Sequence, residues 1–366
     1  MKLKKKIFIV VGSQKYSLKN RMPLVEKLDK DFDITICMPF KNDFNKKLLK
    51  KYDLLLFHMG RNYSSVLFDL LGLLILYLKI KSKKPSHVLN FSTKPVFLFS
   101  LINKIMLSQI ILINTFTGLG RFFHSNNNRF YLLICQLCFS QKNIFIFQNK
   151  NNLEKIGKFL PKLSPIHLIN GSGVKTQFFH YKQKKNNDLC FVGRLNEDKG
   201  IIELMKAFNL LDKNKYNPKL RIAGPIDFYK KKSHREFNKL LKLNNKIIYH
   251  GEIEDTKTFL SVNKFFILPS LHEGIPVTLL EAMSCHTMFL VNKWDGCEDI
   301  IKFNKKEVFI SKLYDDYVKN IHLNLVKILE LDQSKYKEIV IKYKNYFEKY
   351  FSINVIFNKY KLILDL

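Results

Sequence analysis

The stretch LPSLHEGIPVTLLEAMSCHTMFLVN, Leu268–Asn292, ends one apolar strand, crosses a short polar loop, makes a helix and begins another strand. Glu273 and Glu281 flank Gly274 and Pro276 where that helix should start. Proline suits the first helical position because it lacks the donor that would be orphaned there. The amides around Gly274, Ile275 and Val277 are then free, with the positive end of the helix dipole behind them, which seats a phosphate or an electron-rich hydroxyl. Glu273, before the turn, can accept hydrogen bonds from sugar hydroxyls. Glu281, about one turn inside the helix, can accept from a vicinal diol such as a ribose, since a carboxylate presents several acceptor sites. A capping acid beside an exposed one is the plainer alternative for the same spelling.

Working outward, strands and helices alternate along the whole chain. KIFIVVGS (6–13), FDITICMP, YDLLLFHM, VLNFS, IILINTF, NIFIF and IHLIN read as strands, with helices such as VLFDLLGLLILYLKI (66–80) between them. The polar, lysine-rich VKTQFFHYKQKKNND (174–188) reads as a linker, after which the alternation restarts and ends in a helical tail. Such βαβα order implies parallel sheets covered on both faces. The fold class is therefore α/β, with an N-terminal Rossmann-like domain over 1–173, a second over 189–345, and a closing helix over 346–366 that returns to the first. Tandem open α/β domains predict ligands in the cleft at the carboxyl ends of their strands.

A second chemical stretch opens the second domain. In FVGRLNEDKGI, Gly193 and Arg194 end a strand, and Lys199 and Gly200 open a helix. Arginine offers a fixed donor fork and lysine a point charge, so both can converge on a diphosphate. A solvated loop with ordinary surface charges is the alternative.

The chain has 366 residues, a formal charge of +31 and 46% hydrophobic residues, which suits two packed domains and excludes global disorder. That charge raises nucleic acid or a membrane as partners. Arginine, which suits base edges and phosphate forks, is scarce among the 62 basic residues, and the 32 phenylalanines fall in apolar strand and helix patterns, so no nucleic acid is expected. An anionic membrane surface remains, with the apolar helix 66–80 and the following KSKKP as its candidate contact. Cys135 and Cys138 lie in an apolar helical run and read as core thiols rather than as half of a zinc site. The basic start with only five strongly apolar residues reads as a first strand of a cytoplasmic protein, and no run is long enough to span a bilayer. The single D-x-D, Asp31 to Asp33, precedes a strand and reads as turn chemistry, so no metal ligand is assigned.

Four segments together carry a resemblance. EGIPVTLLEAM resembles the E-x7-E motif of retaining GT-B glycosyltransferases, glycosyltransferase family 4. FVGRLNEDKG resembles that family's donor-phosphate motif. NGSGVKTQFF is similar to its interdomain segment, with Lys175 where Asp is usual, and FSINVIFNKY to its closing helix. In the first half, KNRMPLVEKL, NFSTKP, NTFTGLGRFF and IFIFQN resemble the bacterial branch that extends undecaprenyl-diphosphate-linked saccharides for O-antigen, capsule or glycoprotein glycans. Thr117 stands where many relatives have His, and the first loop has one glycine, Gly12, where some have two.

The resemblance implies a GT-B fold and transfer of a sugar from a nucleotide-diphosphate donor, UDP by family habit, to a lipid-linked saccharide with retained configuration. It implies no cofactor or metal, and a peripheral seat on the cytoplasmic face of the membrane. Arg194, Lys199 and Glu273 would carry catalysis, and Gly193, Gly251, Gly274, Ile275, Pro276, Val277 and Glu281 would complete the donor site. Gly12, Arg21, Thr93, Lys94, Thr117 and Gly118 would face the acceptor; His272 could touch the donor sugar, whereas Asn90 and Asn114 read as structural. A sugar-nucleotide epimerase of the same architecture would need an acid/base set that the first domain does not spell.

Overall fold

The computed structural model describes residues 4–13, 17–40, 51–60, 66–118, 128–176, 185–212, 214–271, 273–292, 300, 309–310 and 316–365. The chain forms two units, Met1–Gly173 with Ile353–Leu366, and Val174–Ser352. Among the described residues no helix is long and apolar enough to cross a membrane.

In the first unit seven strands pair in parallel: β1 (Lys6–Val10), β2 (Asp33–Pro39), β3 (Asp53–Phe57), β4 (His87–Phe91), β5 (Ile111–Phe116), β6 (Ile144–Phe147) and β7 (Ile166–Leu168). Their order is β3-β2-β1-β4-β5-β6-β7. The unbroken apolar spelling of β1 follows from cover on both faces. Ile7 and Ile9 pack towards α1 (Met22–Leu28) and the last helix of the chain, while Phe8 and Val10 pack on α2 (Val66–Ser82). On that second face α3 (Ser100–Ile105) lies between α2 and α4 (Asn128–Cys138). The Lys104 ammonium donates to the Phe139 carbonyl at 2.9 Å, holding the end of α4 against α3. Cys135 and Cys138 are buried and burial raises both thiols, the core role expected of them. The short α5 (Lys150–Ile156) completes this unit before β7. Its cap is Asn149, whose side chain accepts from the Asn152 amide.

The second unit has six parallel strands, β8 (Asn186–Val192), β9 (Leu220–Ala223), β10 (Ile247–Tyr249), β11 (Asn263–Leu268), β12 (Met288–Asn292) and β13 (Phe309–Ile310), in the order β10-β9-β8-β11-β12-β13. The helices are α6 (Ile201–Asn209), α7 (Lys231–Leu243), α8 (Thr256–Val262), α9 (Val277–Ser284), α10 (Tyr317–Leu329) and α11 (Gln333–Tyr350). Asp255, Asp316 and Asp332 cap α8, α10 and α11, each carboxylate accepting an otherwise orphaned first-turn amide.

Several boundaries differ from the sequence reading. Strand β8 starts at Asn186, inside the stretch read as a linker, and Val174 already bridges Ser352; residues 177–184 of that stretch lie outside the described residues. The closing helix does not begin at 346. Helix α11 buries Tyr343 and Phe347 in the core of the second unit, the chain breaks at Phe351–Ser352, and α12 (Ile353–Asp365) packs on α1 in the first unit. Helix α1 begins at Met22, after a tight turn over Lys19–Arg21. Asp31 lies in a turn, where its carboxylate takes the Lys361 ammonium at 2.5 Å.

Candidate active site

In each unit one pair of neighbouring strands is fed from opposite directions. In the second unit this switch point lies between β8 and β11, since the chain runs outward through β9 and β10 and returns to β11. Crevices beyond the carboxyl ends of such strands are where open α/β sheets take ligands. The sequence candidates gather there. Lys199, six residues beyond Gly193 at the end of β8, gives its ammonium to Oε1 of Glu273, which lies beyond β11. The Ser270 hydroxyl donates to the same oxygen at 2.8 Å. Both charged side chains are mostly covered, 17% and 12% exposed, so the pair sits in a partly desolvated notch.

The backbone explains why the loops can meet. Gly200 caps α6 with φ 65°, and a Cβ there would stand 2.2 Å from the Pro269 carbonyl oxygen. That close approach brings Lys199 against the loop that follows β11. Tyr317 of α10 donates to the Pro269 carbonyl and accepts from the Asn292 amide group at 2.7 Å, and Asn292 also donates to the Ser270 carbonyl at 2.8 Å. Burial raises the Tyr317 phenol, so it remains a donor. These two side chains fix the loop leading to Glu273. Neither was foreseen: they stand far from it in sequence, and no local pattern marks them.

Across the neighbouring strand ends Gly193, Gly224 and Gly251 form a row of bare backbone. A Cβ on Gly224 (φ 136°) would stand 1.9 Å from the Gly193 carbonyl oxygen, and the Gly224 amide donates to the Gly251 carbonyl at 2.7 Å. Gly251 (φ 69°) has open space where a Cβ would be. Gly224 was missed, although a glycine–proline directly after an apolar strand is a signal for it. Arg194 turns towards β9 and donates to Asp227 at 3.0 Å. The carboxylates against the two cations thus differ, Asp227 for Arg194 and Glu273 for Lys199.

At the opening stretch Pro276 is the cap residue and Val277 the first helical one, a shift of one position from the reading above. The Pro276 carbonyl accepts from Leu279 at 3.1 Å. The amides of Gly274, Ile275 and Val277 have no acceptor among the described residues, as a helix start leaves them. Glu281 faces α8, where its Oε2 accepts from the Thr256 hydroxyl at 2.8 Å. His272 lies outside the described residues.

In the first unit the switch point lies between β1 and β4. Gly12 follows β1, and its missing Cβ would stand 3.0 Å from Cβ of Ser92, which holds φ 78° after β4. Ser92 and Ser17 share a hydroxyl hydrogen bond of 2.9 Å. Thr93 and Lys94 follow directly, and Thr117 and Gly118 lie beyond β5. Lys94 is bound inward: its ammonium donates to the fully buried Asp69 of α2 at 2.6 Å and to the Gly60 carbonyl at 2.9 Å. Arg21 is not on an open loop. It is buried, with its guanidinium 5.0 Å over the Phe91 ring and 3.5 Å from the Gln148 side-chain oxygen, and burial lowers it to about 10. Asn90 donates to Asn114 at 2.9 Å between β4 and β5, and Asn114 to the Ser100 hydroxyl at 2.9 Å, so both are structural.

Residues 175–342 match the family described as Glycosyl transferases group 1. The chain is 29% identical over 251 residues to the N,N'-diacetylbacillosaminyl-diphospho-undecaprenol alpha-1,3-N-acetylgalactosaminyltransferase of Campylobacter jejuni, covering 61% of this chain and 66% of that one. It is 29% identical over 183 residues to a second C. jejuni enzyme, which adds an alpha-1,4-linked N-acetylgalactosamine to a diphospho-undecaprenol-linked saccharide, covering 49% and 46%. The matches thus span 66% and 46% of those relatives' own lengths. Among solved structures, Anabaena HepE in complex with UDP and glucose superposes with a TM-score of 0.77 over 99% of both chains at 14% identity. The chain therefore has the GT-B fold of two Rossmann-like units, and within it residues 175–342 are similar to the glycosyltransferase domain of group 1.

Proposed function

We propose that the protein is a retaining glycosyltransferase. It moves a hexose or N-acetylhexosamine from a UDP-linked donor to a saccharide carried on a lipid diphosphate. The observation that carries this reading is the Lys199–Glu273–Ser270 cluster at the switch point of the second unit, beside the bare glycine row and the free amides before α9. A diphosphate entering there exchanges places with Glu273 as the partner of Lys199. The freed carboxylate then accepts from hydroxyls of the transferred sugar. Charge grows on the leaving diphosphate as the bond to the anomeric carbon breaks, and fixed donors placed for that charge lower the barrier. Arg194 adds a second cation once drawn from Asp227. The acceptor hydroxyl attacks from the face the phosphate leaves and its proton passes to a phosphate oxygen, so configuration is retained without an enzymic nucleophile. Glu281 holds the ribose diol. The lipid-linked acceptor is supported by the names of the two C. jejuni relatives, and UDP by the complex of the Anabaena protein.

The test is transfer from a panel of sugar nucleotides to a lipid-diphosphate-linked saccharide, reading UDP release and the anomeric configuration of the product. UDP release above hydrolysis, a retained anomer, and a rate unchanged by chelator are expected, with Glu281→Gln weakening nucleotide binding. No release from any donor overturns the transferase reading, and an inverted product overturns its stereochemistry.

A further inference from the structure

Arg194 and Lys199 each start on a carboxylate, and the carboxylate under Arg194 is bolted in place. Asp227 lies on the loop between β9 and α7, and the backbone of that loop is bonded to the turn that carries Arg194. The Leu195 amide donates to the Pro225 carbonyl at 2.9 Å and the Asp227 amide to the Leu195 carbonyl at 2.9 Å, so Leu195 and Ile226 bridge like strand neighbours. Further along, both carboxylate oxygens of Glu197 accept loop amides, from Tyr229 at 3.0 Å and from Lys230 at 3.1 Å. The Tyr229 hydroxyl donates to Asp198 at 3.0 Å and accepts from the Asn196 amide group at 3.1 Å. The loop is thus fastened along the turn, and Asp227 keeps its place beside the backbone of Arg194. The movable partner is the arginine. Its guanidinium rides on a flexible stem, and its side chain is 36% exposed against 22% for Asp227.

In the proposed reaction Glu273, released from Lys199, is taken up by hydroxyls of the sugar. Asp227, released from Arg194, meets no such group and stays ready to draw the arginine back. We propose that Asp227 is a built-in competitor of the nucleotide diphosphate: it parks Arg194 in the empty site, lowers affinity for donor and product alike, and so eases release of the product nucleotide. The inference rests on the proposed function for the part Arg194 plays in holding the diphosphate. A ligand that needs a conformer populated only in part binds more weakly by that fraction, and a change that frees the conformer restores the affinity. A partly exposed ion pair is weak, so the parked form outweighs the free one by a few-fold rather than by orders of magnitude.

Calorimetry of the full chain with UDP and with uridine tests it. Asp227→Asn keeps the shape of the side chain and removes its charge. UDP should then bind about two- to sixfold more tightly, and uridine, which carries no phosphate, as before. The gain should shrink at high salt, and inhibition of turnover by added UDP should rise by the same factor. Asp227→Ser should act in the same direction, which separates the lost charge from any misfit of the asparagine. In an Arg194→Ala background Asp227→Asn should leave UDP affinity unchanged, because the acid then has no arginine to withhold. Unchanged UDP binding by Asp227→Asn overturns the proposal, and so does weaker binding, which would make the acid an orienting partner of Arg194. An equal gain in the Arg194→Ala background also overturns it, since Asp227 would then act on the diphosphate directly. If the unaltered protein binds no UDP, the donor reading itself fails and the competitor falls with it. Binding of UDP that ignores Asp227 leaves the transferase reading standing and removes only the competitor.

Discussion

The two switch points share a topology and differ in chemistry. In the second unit the loops beyond β8 and β11 meet through a charged pair, Lys199 with Glu273, over a glycine pressed against a carbonyl. In the first unit the loops beyond β1 and β4 meet through small groups, Gly12 against Ser92, with Ser17 completing a hydroxyl contact. Two cations of that unit, the mostly covered Lys94 and the buried Arg21, are turned into the unit itself. Topology thus offers the same place twice, and residue chemistry decides what each place can hold. A charged notch suits a diphosphate that gains charge during reaction, whereas a hydroxyl-lined one suits a neutral polyol that must stay free to react.

The largest expected effect breaks the charged side of this contrast. Lys199→Ala removes the cation while leaving Glu273 its bond from Ser270, so the fold should persist and transfer should fall by about a hundredfold or more. Arg194→Ala should cost less, about tenfold, because that guanidinium is a third exposed and starts on Asp227. Steady-state rates for both variants decide the matter. Equal losses would mean that Arg194 leaves Asp227 for the diphosphate as fully as Lys199 leaves Glu273, and near-normal turnover of Lys199→Ala would remove the diphosphate from this notch.

How much of this was legible in the sequence depends on how local each signal is. The alternation of strands and helices, the glutamates of EGIPVTLLEAM and the glycine–lysine turn of FVGRLNEDKG are short-range patterns, and they stand where they were expected, Glu273 and the turn beyond strand ends and Glu281 inside α9. What failed to show was long-range. Tyr317 pins Pro269 from 48 positions away, and Asp69 engages Lys94 from 25. An isolated arginine such as Arg21 reads as surface, because nothing in its neighbours announces that Phe91 will cover it. The break before Ile353 was invisible for a related reason: apolar spacing runs on through 346–366, and only the packing of Phe347 and Phe351 in the second core assigns the two halves to different units. Strand β13, with two residues, is too short for any periodicity.

The next effect concerns the glycine row and is one of stability. At Gly224 an added Cβ meets the backbone oxygen of Gly193 at 1.9 Å, and φ is 136°, so neither a rotamer change nor a small shift relieves the clash. Gly224→Ala should destabilise the second unit by about 3 kcal/mol, from strain at a glycine-only conformation together with overpacking. Thermal unfolding should fall by roughly 6–12 °C for a unit of this size. A shift within a degree or two would show that the strand ends are not held this closely, and would loosen the case for a preformed donor site.

The smallest effect tests the other switch point. Gly12→Ala places a Cβ 3.0 Å from Ser92 Cβ and 3.2 Å from its hydroxyl, both belonging to a side chain rather than to backbone. The neighbour can give by a few tenths of an ångström, so the loss should be about 1 kcal/mol. Ser92 carries its own strain, because φ 78° is a region that residues with a Cβ rarely adopt. Ser92→Gly removes that strain and also the bond to Ser17, two changes of about 1 kcal/mol each and opposite sign, so alone it should be close to neutral. The double variant should then recover most of what Gly12→Ala loses, because the atom it would crowd is gone. A double-mutant cycle read by urea unfolding should give a coupling of about 1 kcal/mol between the two positions. Additive losses would mean that Gly12 is needed for its backbone and not for the space beside Ser92. The first switch point would then be held open by its own chain geometry, in contrast to the second, where glycine serves close approach to a neighbour.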